Sequence, residues 1–440
     1  MKKLLLILLC LPMIGFGQSW QRTYSINTGS FGISVNQTND GGYIIAGIFG
    51  SDSNSPSKIY LIKTDIAGNM QWDNTFAGIG NFQAGFSHSV QQTTDGGYII
   101  SGQEQDTGQT KVLLIKANNL GNQQWQQFYG INSSVNEASS VQQTTDGGYM
   151  IYALKNSTDE GGGSLWLIKI NSDGTFNWEK EYDDLNYGIG GYGHGTVSAT
   201  KFGCQTTDGG YLLAGSSFLP SFTRVIRLIK TNSQGDTSWT NNLSSFSNFL
   251  DLPTTVDQTS DGGYIIAATG VSSSNSREGY LLKINSTGNL VWNKVFNSAG
   301  YAGTLDANPT ADGGYILLGT DTLGCPILIK TDASGNTIWS KVITGSGNLS
   351  FYKLSGNIEQ TTDGGYIMAG IGGSIANVGV ALIKTDGNGN VTSIFNIPIN
   401  PKRKLHKTVD ILGKETKPRT NTPLIEIYDD GTVEKKIVIE

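Results

Sequence analysis

Apolar and aromatic residues come in short runs along this chain, separated by turns rich in Gly, Asn and Asp. Ser89-Val90-Gln91-Gln92-Thr93 is a β-prone run, and Asp95-Gly96 follows as a hairpin turn. A two-residue turn of that kind needs positive φ at both central positions, which Gly adopts freely and Asp tolerates. Tyr98-Ile99-Ile100-Ser101-Gly102 returns as a strand of aromatic and β-branched residues. After a polar loop, Val112 to Lys116 makes a third strand, Asn119-Leu120-Gly121-Asn122 a second tight turn, and Gln124 to Phe128 an alternating fourth strand. Four short antiparallel strands in about 50 residues is the size of one β-propeller blade.

The unit recurs. An Asp-Gly-Gly-Tyr core begins at Asp40, Asp95, Asp146, Asp208, Asp261, Asp312 and Asp363. Six repeats also carry a Trp four residues after the second turn's Gly: Trp72, Trp125, Trp178, Trp239, Trp292 and Trp339. The seventh has Gly389 followed by Ser393 at that place, and the missing segment stands near the other end of the chain as Trp20-Gln21-Arg22-Thr23-Tyr24. An open solenoid has no reason to move one strand from its last repeat to its start, whereas a ring does. The expected fold is all-β, a seven-bladed propeller over residues 18–397 closed by the N-terminal strand. The periodic Trp residues read as packing between blades, and Trp166, off the pattern, as core.

Both ends of the chain differ from the body. Met1-Lys2-Lys3, the apolar run Leu4 to Ile14 and the small residues around Gly15-Phe16-Gly17 read as a secretory signal peptide over residues 1–17. Cys10 follows Leu9 rather than a small residue, which argues against a lipoprotein. No later stretch is apolar for long enough to cross a membrane as a helix. From Pro398 the composition shifts, with Lys402-Arg403-Lys404 marking a linker and two β-rich segments following, the second turning at Asp430-Gly431.

Positions 18–397 hold 19 basic and 29 acidic residues, a poor match for nucleic acid or anionic lipid. Cys204 and Cys325 lie in repeats four and six, which are not neighbours in a seven-membered ring, so no disulfide is expected. The connections fall into two kinds. The turns at Asp-Gly-Gly and at sequences such as Asp332-Ala333-Ser334-Gly335-Asn336 hardly change between repeats. The others, Gln103 to Thr110, Lys155 to Ser164, Gly130 to Ser139 or Asp183 to Thr200, vary in length and content and emerge at one common end. Loops diversified on a rigid scaffold are where function usually lies. That end carries the candidate ligand-contacting residues Phe82, Phe86, His88, Tyr187, Tyr192, His194, Phe246, Phe249, Tyr301, Phe351 and Tyr352.

No residues are assigned to catalysis, cofactor or metal. The repeated Asp residues are explained by turn chemistry, and the Asp-x-x-Gly-Asn turns lack the alternating ladder of a calcium loop. His88 and His194 have no third ligand of suitable spacing for zinc. Asp159, Glu160, Asp183, Asp184 and Asp251 could supply a carboxylate pair for glycoside chemistry, but a sequence does not give their separation.

Two resemblances add to this. The run Val409 to Glu415 and the ending Tyr428 to Lys436 resemble the C-terminal sorting domains of the type IX secretion system of Gram-negative bacteria. That implies the secretion machinery as partner, a sorting module over 398–440, and a destination in the medium or on the outer cell surface by way of the periplasm. The Asp-x-x-Gly-Asn-x-x-Trp segments, as at Asp332 to Trp339, resemble the tryptophan-docking repeats of quinoprotein-like propellers and the hairpins of sialidase-like propellers. Neither the adjacent-cysteine pair of the former nor the arginine cluster of the latter is present, so the resemblance implies the fold and not the chemistry. The leading expectation is a non-catalytic binding or adhesion propeller for an extracellular glycan or protein. A glycan-active hydrolase or lyase is the alternative, and a scaffold subunit of an outer-membrane assembly a third reading.

Overall fold

The computed structural model describes residues 19–24, 29–49, 57–79, 89–106, 109–130, 135–157, 163–182, 201–218, 224–243, 252–271, 277–296, 301–321, 325–343, 357–374, 377–391, 405–410, 414–417, 423–428 and 433–437. The described residues contain no helix. They form two compact units, divided between Thr392 and Ser393.

The larger unit is a seven-bladed β-propeller. Blade 1 comprises strands Phe31–Gln37, Tyr43–Phe49, Ser57–Thr64 and Met70–Ile79, paired antiparallel in chain order. Blades 2 to 6 repeat this order, beginning at Ser89, Val135, Gly203, Leu252 and Tyr301. Blade 7 has only three strands from its own repeat: Ile358–Gln360, Tyr366–Ser374 and Asn377–Thr385. Its outer strand is Trp20–Tyr24, paired antiparallel to the third strand with Trp20 opposite Lys384 and Tyr24 opposite Val380. The sequence expectation of a ring closed by the N-terminal strand therefore holds.

Burial follows strand position. Second and third strands are buried almost throughout, while outer strands alternate between exposed and half-buried residues. The half-buried row carries the Trp residues, each of which lies over the next blade. A Cβ on Gly121, which has φ +78°, would sit 2.5 Å from the Trp72 ring, so that turn must keep a glycine. Trp72 then meets the edge of Tyr98, the Tyr of the next Asp-Gly-Gly-Tyr core, at 5.8 Å between ring centroids. Trp20 repeats both contacts on blade 1, with a Cβ at Gly68 falling 2.6 Å from its ring and Tyr43 at 5.7 Å. Arg22 lies over the Trp20 ring, and the Tyr24 hydroxyl donates to the Gly68 carbonyl, as Tyr182 does to Gly235.

The Asp-Gly-Gly turns differ in one respect from the sequence expectation. Gly96 N–H donates to the Thr93 carbonyl and Thr93 N–H to the Gly97 carbonyl, so the loop is longer by one residue, a turn closed by a bulge at left-handed Gly96. The Asp is there for its side chain rather than for its backbone. Asp95 Oδ1 accepts from Thr93 Oγ1 and Gly97 N–H, and its carboxylate pairs with Lys116 at 2.9 Å. The Lys116 side chain is 3% exposed, running through the blade to reach the turn. A Cβ on Gly97 would lie 2.4 Å from Lys116 Nζ, which accounts for the second Gly. All seven blades repeat the pair, from Lys63–Asp40 to Lys384–Asp363.

A glutamine ends most inner strands and ties adjacent blades together. Gln92 Oε1 accepts from Asn39 N–H of the preceding blade's turn, and Gln143, Gln205, Gln258 and Gln360 do likewise at theirs. Gln37 closes the circle on Thr362. Blade 6 has Pro309 in this place, which offers no side-chain acceptor to blade 5.

Several connections are shorter than the sequence suggested. Gln103 to Asp106 belong to the second strand of blade 2 and Gln109 and Thr110 to its third; blade 3 begins at Val135, where it pairs in parallel with Thr110. Asn136 N–H donates to Thr110 Oγ1, so two side chains extend the strands past the point where hydrophobic alternation stops. The smaller unit is a three-stranded antiparallel sheet of Leu405–Asp410, Pro423–Tyr428 and Val433–Ile437, in which Val409 and Leu424 are buried. Asp430-Gly431 and Ser393 lie outside the described residues.

Trp20→Ala should lower stability by ~3–5 kcal/mol, the cost of a buried aromatic, and by more than Trp72→Ala, because closure is lost with it. Thermal unfolding of the two variants checks this; a Trp20→Ala protein melting with the parent would contradict closure through this residue.

Candidate functional site

The inner strands of all seven blades surround a cavity of about 270 Å³ on the axis of the ring. Its wall is read from the two positions that alternate inward ahead of the turn. The nearer row is Asn36, Gln91, Gln142, Asp257, Asn308 and Glu359 and the farther row Ser34, Ser89, Ser140, Asp306 and Asn357; in blade 4 the equivalent Cys204 and Phe202 lie in the core, and Lys201 and Gly203 line the cavity instead. Between them, Val35, Val90, Val141, Val256 and Ile358 pack into the clusters that join blades.

These rows are polar for a physical reason. An inner strand is a sheet edge, and its free N–H groups need acceptors. The preceding blade supplies them. Ser34 Oγ accepts from Val90 N–H, Gln91 Oε1 from Gln143 N–H, Gln142 Oε1 from Gln205 N–H, Asp306 Oδ2 from Ile358 N–H, Asn357 Oδ1 from Val35 N–H and Glu359 Oε2 from Gln37 N–H. Blade 4 is the exception: the buried Cys204 sulfur takes Gln258 N–H, but Phe202 offers no acceptor. There the backbone substitutes: Lys201 carbonyl takes Val256 N–H, and Lys201 N–H donates to Thr254.

Charge gathers on blades 4 to 7. Lys201 Nζ meets Asp257 Oδ2 at 2.9 Å. Burial alone would lower the Lys201 ammonium, but Asp257, with Cys204 and Asp306 beside it, outweighs that and holds the group charged. Asp306 is raised by burial although Ile358 N–H, Thr255 Oγ1 and Asn308 Nδ2 all donate to it. Burial pushes Glu359 up to about 7, against the donor from Gln37 and the nearby Lys201. The turn aspartates go the other way: burial would raise Asp95, but the bonds from Thr93, Lys116 and Gly97 hold it down at about 2.

Of the residues expected on the loop end, Tyr301 opens the inner strand of blade 6 opposite Asp321. Phe82, Phe86, His88, Tyr187, Tyr192, His194, Phe246, Phe249, Phe351 and Tyr352 lie outside the described residues, as do Asp159, Glu160, Asp183, Asp184 and Asp251. Trp166 is buried core. Cys204 and Cys325 are free thiols. Among the described residues no three His, Cys, Asp or Glu side chains come together as a metal site, and no helix is long and apolar enough to cross a membrane. The channel rows were not singled out from sequence, although a signal for them exists: a polar residue directly before each turn-starting Gln-Thr or Pro-Thr in every blade but the fourth.

Two titrations act in opposite directions. Glu359 binds its proton more tightly folded than unfolded, so its contribution to stability is present below the ordinary carboxyl range and lost as pH rises through about 7. Asp95 and its equivalents contribute stability above the ordinary range that is lost as pH falls towards about 2. Glu359→Gln keeps the acceptor that Gln91 and Gln142 provide in the same row. It should leave the acid limb of the melting-temperature profile unchanged and flatten the limb between about pH 5 and 8, by at most ~1.4 kcal/mol per pH unit. An unchanged upper limb would show that Glu359 is not the titrating group.

No protein-family profile matches this sequence, and no curated protein matches it. Solved structures do. A lectin from Burkholderia pseudomallei superposes with a TM-score of 0.50 at 10% identity, covering 83% of this chain and 98% of that one. An α-L-arabinanase from Penicillium chrysogenum gives 0.46 at 10%, covering 83% and 98%. A protein of unknown function from Bacteroides caccae gives 0.41 at 13%, covering 72% and 94%. At such identity the likeness is one of fold, and it makes this chain similar to known β-propellers.

Proposed function

We propose that the chain is an exported, non-catalytic binding propeller that recognises an extracellular glycan or protein through the end bearing its varied connections. One observation carries this reading: at the opposite end the repeated polar groups are already engaged in holding the ring. The turn Asp residues are bonded to Thr and Lys, and Gln side chains bridge six of the seven seams. Recognition of a partner is left to the end where sequence and length vary, including the Asp183 to Gly195 segment. Two of the three described channel carboxylates are engaged, Asp257 by Lys201 and Asp306 by three donors, which supports binding over hydrolysis by a carboxylate pair. Glycans make a sensible first panel because a lectin shares the fold. Export rests on the signal-like residues 1–17 and the resemblance of the 398–440 module to type IX sorting domains; delivery to the medium or the outer cell surface follows from it.

Deletion of Asn186 to Gly193 should weaken binding to any hit from a polysaccharide and extracellular-protein array by at least about tenfold, with little change in melting temperature, since surface loops add little stability. Undiminished binding would move the site elsewhere, and new reducing ends in a bound glycan would replace the binding reading with hydrolysis or lyase chemistry. Truncation at Pro398 should leave a folded body in the periplasm; its normal appearance in the medium would remove the sorting assignment.

A further inference from the structure

The polar rows of the channel follow one rule, and the rule fails at one serine. Ser34 and Ser89 each accept a hydrogen bond from the next blade's inner strand, at Val90 and Val141. Ser140 holds the same position in blade 3, lines the cavity and is 5% exposed, yet its Oγ has no partner among the described residues. By the same rule the neighbour it would serve is the N–H of Gly203. Blade 4 has Gly203 where other blades have a larger residue, and the Tyr152 ring fills that space, 2.1 Å from where a Cβ would stand. A buried hydroxyl without a partner is destabilising unless something else in the cavity bonds it.

The bonds that hold the ring also fix which atoms remain for a ligand. Gln91 and Gln142 must turn Oε1 towards a backbone N–H, which leaves their Nε2 groups as donors. Asn308 gives its Nδ2 to Ile358 carbonyl and Asp306, which leaves Oδ1 as an acceptor, and Glu359 retains Oε1. The cavity thus presents donors from blades 2 and 3 and acceptors from blades 6 and 7. Among the described lining residues the one cation, Lys201, is neutralised by Asp257.

We propose that this channel is a binding site for a single neutral polyol of monosaccharide size, with Ser140, Gln91 and Gln142 facing Asn308 and Glu359 across it. A hydroxyl group donates and accepts at once, so it satisfies both halves without adding charge. The volume exceeds the ~150 Å³ that admits benzene and falls below the ~300 Å³ where drug-sized pockets begin. An apolar ligand would strand the amides, an anion would face Asp306 and Glu359, and the described residues gather no metal-binding group. This site is separate from the loop end and does not depend on the reading given there.

The test is calorimetric titration of the full-length protein with glucose, galactose, mannose, xylose and myo-inositol, alongside ethanolamine and inorganic phosphate. At least one polyol should bind with one-to-one stoichiometry. Ser140→Ala, which removes no existing bond, should weaken it about tenfold without lowering the melting temperature, and Ser140→Leu should abolish it by filling the space. Deletion of Asn186 to Gly193 should leave it intact, so loss of polymer binding in that variant and loss of polyol binding in the serine variants report on different sites. Absence of polyol binding, polyol binding indifferent to both serine variants, or binding of ethanolamine or phosphate alone would each overturn the proposal. If Ser140→Leu fails to fold, Ser140→Ala decides alone.

Discussion

A ring of blades stands or falls with the contact each blade makes with the next, and here that contact is an indole lying on a left-handed glycine. Neither partner tolerates replacement: the ring occupies the space a side chain on the glycine would take, and the glycine's backbone carbonyl is in turn capped by Tyr24 or Tyr182 from the indole's own strand, or by Asn74 or Asn241. The interaction spans the seam between blades, so it also sets their spacing. With the blades so placed, inner strands lie close enough for side chains of one to cap the backbone of the next.

Closure and turn chemistry were legible because they are written locally. Trp20 matches Trp72 within a five-residue strand, and the missing seventh Trp could be counted. Backbone φ preference predicts a turn one residue too short, because the Asp stands there for Lys116, 21 residues on in sequence. Repetition alone cannot reveal such a partner, since Lys and Asp recur together with no sign of which feature needs the other. The channel was harder still. Its wall is assembled from seven distant segments, and Asp306 and Glu359 become neighbours of Lys201 only once the ring has closed.

Symmetry separates structure from the remainder. Where all seven blades agree, as in the Thr–Asp–Lys turns, the residues satisfy a need every blade has. Where they disagree inside an otherwise uniform frame, a local solution was required or a local purpose served. Blade 4 shows the first, replacing the cap on Val256 with the Lys201 carbonyl and that on Gln258 with a thiol. The Tyr152 ring beside Gly203 leaves Ser140 outside the pattern, and the asymmetric channel wall follows from that.

Pro309 interrupts the glutamine bridges at the seam between blades 5 and 6. The seam that joins the chain's two ends, between blades 7 and 1, has by contrast Gln37, Glu359 and Asn357 all bonded across it. Local opening follows the least-supported contacts. Even at Pro309 other side chains cross the seam, Thr255 Oγ1 to Asp306 and Lys294 Nζ to Asn336. A closed band whose join is tied by three further side chains does not unravel from the chain's two ends, and its first strand stays in place while less supported segments open and shut.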